Sequence, residues 1–507
     1  MELQNLKNKR IFYHGFYHEK TDIIFKLYEK YNWKPVVINT HKNDLEKFSD
    51  FKDTLLIDNF SIRKGNFPKL NSNNFFLDQE KFNLLSKKIF NYFGTYSDSD
   101  GRNFSFDERK HYFYVAFNFW YSILIQQKPD YFISFRNPHT TTCYLIYLIC
   151  RYLLNIKILF FDAAPLLNTN KHLIFSSYEK KFNSYFANFY KHHSDFKPSS
   201  EIISYLDNIK NDNTPKHIVD DDVLIHQKVP FKFKKFLKYF FSQFIGKERG
   251  FYEIDFKINK KPFFDPFSKP SKIQYYLLLN KIKKQNRALK EYYYSKITKP
   301  NLKSKFIYFA SSYQPEARTN TMCGLFEDQV IALKMLRKSL PKNFKIYFKE
   351  NKSIFFESDV SKGSIRRSKN YYDELLKIEN LELIDSNYST FELIKNCVAV
   401  STLAGTAGWE AVIKEKPSIV FGFSWYTLCK SIFNIETIAD CENAIKLILN
   451  GYKPDYKEII KYCNAIEHCS YDVNIRNLQK TSIGPDKFKK EVNNIAEAIF
   501  IEVSRSI

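Results

Sequence analysis

The sequence predicts an α/β protein of two domains with parallel sheets, joined by a basic, largely helical connector. Three observations predict it. Short β-branched or aromatic runs alternate with helical stretches over the first 190 residues, and again from about 300 onward. Between about 195 and 300 the alternation stops, and lysines and aromatics take over. The length, 507 residues, is ample for two hydrophobic cores. The implied units are 1–195, 196–300, 301–475 and a terminal segment, 476–507.

In the first unit, 10–14, 34–39 and 54–58 read as short buried strands, and 131–135 and 156–161 as two more. A helix over 141–154 separates the last two, and this βαβ pattern implies a parallel sheet. The most apolar stretch, 142–161, is interrupted by Arg151 and Lys157, so it reads as helix then strand and not as a membrane span. The connector holds polar turns, a basic-aromatic run and a helical stretch around 273–294. Beyond it, 305–309, 345–349 and 381–384 read as strands, and 325–339 and 371–378 as helices. The polar stretch 352–370 reads as a mobile loop. Ser389-Thr-Phe-Glu392 starts a short capped helix running to Asn396. Helices are also expected over 441–449 and 486–503.

Composition narrows the setting. The 50 Phe and 35 Tyr, with many Lys and Asn, reflect coding bias as much as physics, so not every aromatic is a stacking platform. Eight cysteines with no C-x-x-C spacing point to a reducing compartment and ordinary buried thiols. The first ten residues show no apolar core of a signal peptide. The net charge is +23, and residues 228–300 hold 19 Lys/Arg against 5 Asp/Glu, so +14 lies in that stretch. Within it, Lys232, Lys234, Lys235 and Lys238 interleave with aromatics. Three readings compete: a basic amphipathic helix on an anionic membrane face, a nucleic-acid patch, and a linker with solvated lysines.

Residues 397–422 carry the strongest local signal. Only 13 glycines occur in the chain, and Gly405, Gly408 and Gly422 fall in this window. A β-branched run leads into Gly405-Thr-Ala-Gly-Trp-Glu410, then a helix ended by Lys416-Pro417, then another strand. The glycines are expected to let the chain turn sharply and let a ligand approach, with Thr406 as N-cap. A helix N-terminus beyond a strand's carboxyl end favours a phosphate, and Glu410 is within reach of a ribose hydroxyl. The plainer reading is a βα turn without a ligand.

This window, with Gly422-Phe-Ser-Trp-Tyr426 after it, resembles the capsular polysaccharide biosynthesis glycosyltransferases, which include enzymes using CMP-Kdo. A second block agrees: Tyr308-Phe-Ala-Ser-Ser-Tyr-Gln-Pro-Glu-Ala317, then Asp328-Gln329, Leu340-Pro341 and Lys349-Glu350. The resemblance covers roughly residues 300–430. Where the family usually continues with His-Pro, Asn351-Lys352 stand here. The resemblance implies a GT-B fold: two Rossmann-like domains facing across a cleft, the nucleotide sugar held by the C-terminal one and the last helix crossing back to the first. It also implies a polysaccharide or lipid-linked acceptor at the inner face of the plasma membrane, hence a cytoplasmic, peripheral protein. Among the three readings of the basic run it favours the membrane over nucleic acid.

In an open α/β sheet, ligands bind beyond the carboxyl ends of the strands. The donor candidates there are Ser311, Gln314, Lys349, Ser401, Thr402, Gly405, Thr406, Gly408 and Glu410. Acceptor deprotonation needs a base. Asp162 and His139 lead, followed by His14 and Glu316. Asp220-Asp-Asp222 and Asp98-Ser-Asp100 read as lying in polar loops and as solvated, so no metal and no cofactor is expected. The alternatives are a teichoic-acid-like glycerophosphotransferase, a sugar-nucleotide 2-epimerase of the same fold, and a non-enzymatic nucleic-acid-binding protein.

Overall fold

The computed structural model describes residues 6–63, 65–69, 77–100, 106–163, 171–175, 184–192, 197–211, 272–314, 317–355, 367–473, 475 and 478–505. Glu316, Asp220 to Asp222 and the run with Lys232, Lys234, Lys235 and Lys238 lie outside the described residues.

The N-terminal domain runs β1 (Arg10–His14), α1 (Asp22–Tyr31), β2 (Lys34–Thr40), β3 (Leu55–Asp58), α2 (Gln79–Asp100), α3 (Phe106–Gln127), β4 (Tyr131–Ser134), α4 (Thr141–Tyr152), β5 (Lys157–Ala163), β6 (Lys171–Phe175) and α5 (Ser184–His192). Five strands pair in parallel in the order β3-β2-β1-β4-β5, and β6 adds antiparallel to β5. Successive residues alternate between two cores. Phe12, Phe132, Ile158 and Phe160 face one, and Ile11, Tyr13, Ile133, Leu159 and Phe161 face the other. Burial on both faces is why these strands read as continuous apolar runs. Pro35 has no N–H to give the ladder, and the β1–β2 register shifts beside it, between Ile11 and Phe12. The pair α2 and α3 has no counterpart in the sequence reading. On α3, Tyr112, Phe113, Phe117, Phe119, Trp120, Tyr121 and Leu124 are all buried, so there is no single apolar stripe to recognise.

Two described helices of the connector follow, α6 (Ser200–Lys210) and α7 (Lys272–Tyr294). The C-terminal domain runs β7 (Ile297–Thr298), β8 (Phe306–Ala310), α8 (Gln329–Ser339), β9 (Lys345–Lys349), α9 (Lys369–Leu376), β10 (Leu381–Ile384), α10 (Thr390–Asn396), β11 (Ala399–Thr402), α11 (Ala407–Ile413), β12 (Ser418–Val420), β13 (Ile432–Asn434) and α12 (Ile438–Leu449). Its seven strands are all parallel, in the order β13-β12-β11-β8-β9-β10-β7. Caps explain several helix starts. Asp328 accepts from the Val330 N–H, so α8 begins there and not at 325, and Ser389 accepts from the Glu392 N–H.

The chain then returns to the first domain through α13 (Tyr456–Cys469), β14 (Tyr471–Asp472) and α14 (Pro485–Arg505). Tyr190 of α5 donates to Glu458 at 2.8 Å, β14 pairs with β6, and Phe500 stacks on Tyr31 with centroids 3.8 Å apart. The crossing therefore begins before residue 476. Asn91 of α2 donates to the carbonyls of Asn320 and Gly324, at 3.0 and 2.9 Å, tying the domains together. Two Rossmann-like domains built this way are the GT-B architecture.

Within the expected mobile loop 352–370, Arg367 is instead fully buried. Its guanidinium meets Glu350 at 2.8 Å, with side-chain exposures of 1% and 0%. Arg367 also donates to Gln314 Oε1 and the Ser312 carbonyl, and Glu350 accepts from Tyr372 and Ser311. This network fixes the loop after β8. Removing one partner strands a buried charge, so Arg367→Leu should cost about 3–5 kcal/mol in urea denaturation. The double variant Arg367→Leu/Glu350→Leu should recover part of that loss. Equal midpoints for wild type and Arg367→Leu would show the pair to be dispensable.

Candidate functional site

Both sheets share the strand order that opens a crevice between the first and fourth strands of the motif, where successive crossovers diverge to opposite sides. In the C-terminal domain that point lies between β8 and β11, and the Gly loop leaves β11 there. Thr402 Oγ1 donates to the Ala310 carbonyl at 2.9 Å and accepts from the Gly405 N–H at 3.2 Å. Tyr426 holds the Gly405 carbonyl from the other side at 2.5 Å. The loop is thus held by Thr402 at the end of β11 and by Tyr426 in the connection after β12.

The structure gives both loop glycines a packing role. Neither Gly405 nor Gly408 is among the positive-φ residues. A Cβ on Gly408 would lie 2.8 Å from both Ser418 Oγ and Tyr426 Oη, and one on Gly405 would lie 2.9 Å from Thr402 Oγ1. They let α11 and its loop press against the sheet, so a Gly408 substitution tests packing before it tests ligand approach. Thr406 makes no side-chain cap bond. It lies close enough to the Glu410 carboxyl to favour the charged form of that group.

Lys349 is buried, not a solvated strand end: it is 8% exposed. Its ammonium donates to the Tyr388 carbonyl at 2.9 Å and to Thr390 Oγ1 at 2.5 Å. Burial lowers its pKa to about 8; the nearby Lys352 adds to that and Glu410 opposes it. Glu410 is buried as well, and its burial raises the carboxyl's pKa against the Thr406 hydrogen bond and the charges of Lys349 and Lys414. A partly desolvated cation and a buried carboxyl thus share the end of the sheet beside the Gly loop.

Two other donor candidates, Ser311 and Gln314, are engaged in structural hydrogen bonds, and a third, Ser401, is buried. Ser311 donates to Glu350 at 2.5 Å and accepts from the Asn351 N–H at 2.9 Å. Gln314 lies in the Arg367 network, donating to the Glu327 carbonyl and accepting from Gln329. Ser401 is wholly buried, and its hydroxyl has no partner among the described residues.

In the N-terminal domain the corresponding point lies between β1 and β4. His14 of β1 pairs in register with Asn39 of β2 and Ser134 of β4. By strand alternation these three and Asp162 of β5 lie on one face, with Asp162 two residues beyond the register. His14 is 5% exposed and its Nδ1 has no partner among the described residues. Burial, and then His139, lower its pKa to about 3, so the ring is neutral near pH 7. His139 Nδ1 lies 2.8 Å from the Asn137 carbonyl, which orients the ring. Asp162 is 6% exposed at the strand end. Asn39, wholly buried with both amide atoms unpartnered among the described residues, was missed, although the strand-end rule that selected His14 applies equally to it. Burying such groups unpaired costs about 1–3 kcal/mol each.

Among the described residues no group of three or more His, Cys, Asp or Glu is placed to hold a metal ion, and no helix is long and apolar enough to cross a membrane.

Residues 274–430 match the family model described as capsule polysaccharide biosynthesis protein. No curated protein matches the chain. Among solved structures, the β-Kdo 2,7 transferase KpsC of Thermosulfurimonas dismutans is 13% identical, covering 83% of this chain and 97% of its own, with a TM-score of 0.31. The UDP-GlcNAc 2-epimerase of Methanocaldococcus jannaschii is also 13% identical, covering 91% and 98%, with a TM-score of 0.24. The β-Kdo 2,4 transferase KpsC of Thermosulfurimonas dismutans is 10% identical, covering 66% and 86%, with a TM-score of 0.25. Scores of this size assign no residue a role. The segment that matches the capsule polysaccharide biosynthesis family model carries the Gly loop, Lys349 and Glu410.

Proposed function

We propose that this protein is a glycosyltransferase that moves a sugar from a nucleotide-sugar donor to a growing capsular or surface polysaccharide, or to its lipid-linked acceptor. The observation that carries this reading is the buried Lys349 cation beside the clamped Gly loop, inside the segment that matches the capsule family. The donor's phosphates lie against the loop and Lys349, where a partly desolvated cation stabilises the leaving phosphate more strongly than a solvated one would. Glu410 and Thr402 shape that end of the sheet. The acceptor hydroxyl lies on the N-terminal domain, and Asp162 or His139 takes its proton. Transfer needs no bound metal, because loop N–H groups and Lys349 supply the stabilisation. The resemblance to enzymes using CMP-Kdo makes an acidic sugar the first donor to test. The basic run 228–247 holds the enzyme at an anionic inner membrane face, so it works as a cytoplasmic, peripheral protein.

Donor binding is tested by thermal shift with CMP, UDP, CDP and GDP. One of them should stabilise the wild-type protein, and Lys349→Met should weaken it by about 1.5–3 kcal/mol, the size of a charge-assisted hydrogen bond. The affinity should also fall as pH rises past about 8, where Lys349 loses its proton, and this pH dependence should vanish in Lys349→Met. No response to any nucleotide would remove the donor assignment.

Turnover is the second test. Asp162→Asn keeps the shape but not the basicity, so it should lower turnover by about 10²–10⁴-fold with donor affinity unchanged. Activity should survive EDTA. Near-normal turnover in both Asp162→Asn and His139→Ala would take the base away from this domain's strand ends.

A further inference from the structure

The loops that leave β1, β2 and β3 meet at the carboxyl edge of the N-terminal sheet, and they meet through aromatic rings. Tyr17 follows β1, His41 follows β2 and Phe60 follows β3. The His41 ring is T-shaped against Tyr17, with centroids 4.2 Å apart, and lies 5.6 Å from Phe60. Asn59 Nδ2 donates to Tyr17 Oη at 3.0 Å, which joins the first loop to the third. His18 completes the group: its ring stacks on His41, with centroids 5.2 Å apart and planes 29° from parallel. Three features set His18 apart from a ring packed in a core. Its side chain is 72% exposed, so most of the ring stays in solvent. Its φ is +56°, a left-handed conformation that few residues besides Gly, Asn and Asp adopt. That conformation is held from both sides. The His18 N–H donates to Asp44 Oδ2 at 2.7 Å, and the His18 carbonyl accepts from Thr21 Oγ1 at 2.6 Å and Lys47 Nζ at 3.0 Å. Asp44 is itself buried, and its other oxygen accepts from Lys47 at 2.9 Å. Strained backbone of this kind persists only where its neighbours over-determine it, and it collects at ligand sites. The exposed ring is therefore positioned before anything binds, which lowers the entropy lost on contact.

We infer that the His18–His41 stack is a platform for a pyranose ring of the acceptor glycan, which lays its C–H face on the exposed His18 imidazole. A pyranose is amphipathic: hydroxyls project around its rim, while one or both faces present C–H groups polarised by the neighbouring oxygens. The face of an aromatic ring is the negative part of its quadrupole and attracts such C–H groups, and its flatness matches the sugar face. The hydroxyls then remain free for water and for polar side chains. Position agrees with this role, because ligands of open parallel sheets bind beyond the carboxyl ends of the strands, where these three loops lie. The platform recognises and orients the acceptor and takes no proton from it. This inference rests on the acceptor side being the N-terminal domain, as proposed above.

The test measures sugar binding to the full-length protein directly, without transfer. Methyl glycosides of glucose, galactose, N-acetylglucosamine and glucuronic acid are titrated against wild type, His18→Asn and His18→Tyr, and saturation transfer to each sugar proton is read by NMR. Wild type should saturate at least one sugar, most strongly at the C–H protons of one ring face. His18→Asn removes the ring but keeps a residue that tolerates the left-handed backbone. It should weaken that sugar by about 2- to 10-fold, the worth of one aromatic contact, and erase the face preference. His18→Tyr restores a flat ring and should retain the binding. No saturation of any sugar by wild type, or equal binding by His18→Asn, overturns the platform. Loss in a folded His18→Tyr as well as in His18→Asn would assign the contact to the imidazole nitrogens and overturn it too. Nucleotide thermal shifts should be the same in all variants, which shows that they are folded. Sugar binding without any nucleotide response would sink the donor reading and leave the platform standing, and a nucleotide response without sugar binding would do the reverse.

Discussion

Parallel pairing is the constraint on which the rest of the molecule depends. When every strand of a sheet runs the same way, all the carboxyl ends fall on one edge, and residues that are far apart in sequence become neighbours. In the C-terminal sheet this brings Ala310, Lys349 and Thr402 to one edge, in register across β11, β8 and β9. In the N-terminal domain it aligns Asn39, His14 and Ser134 across three strands. Strand interiors are apolar on both faces because helices cover them, so polar residues survive only where the strands end.

The polar strand ends are then disciplined by burial. Arg367 and Glu350 are both taken out of water, and the arrangement holds because Tyr372, Ser311, Gln314 and the Ser312 carbonyl satisfy their remaining hydrogen-bonding capacity. Lys349 is treated differently: its ammonium has a carbonyl and a hydroxyl as partners, with no carboxylate within ion-pair distance among the described residues, so its charge remains available. That contrast separates the ion-paired Arg367 from Lys349, the proposed phosphate-binding cation, more clearly than exposure does, since both side chains are buried.

Close packing governs the Gly loop in the same way. Gly408 sits where a methyl group would strike Ser418, Tyr426 and Thr402, so α11 approaches the sheet more closely than any other residue there would permit. The return of the chain through α13, β14 and α14 then ties the last residues to the first domain, with Phe500 on Tyr31 and Lys30 on Glu497 at 3.0 Å. The N-terminal core is completed only when the C-terminal end of the chain has arrived.

The sequence by itself determined the local features. The strands β1, β9 and β10 are legible to the residue, because short apolar runs bounded by polar residues are local patterns, and Ser389 caps its helix for equally local reasons. The blocks around Lys349 and Gly405, which carried the resemblance, both fall inside the segment that matches the capsule family model. Tertiary structure decided the rest. Nothing near Arg367 in sequence marks it as buried; Glu350 and Gln314, 17 and 53 residues away, do that. The same holds for His14, whose neutrality comes from burial and from His139, and for Gly408, whose need for a missing side chain is set by Tyr426 and Ser418 across the fold. Helix α3 was illegible because it is buried nearly all round, which erases the one-sided stripe by which a helix is recognised. Periodicity and caps depend on neighbours along the chain, whereas burial, charge state and steric fit depend on neighbours in space, and those exist only after the parallel sheets have closed.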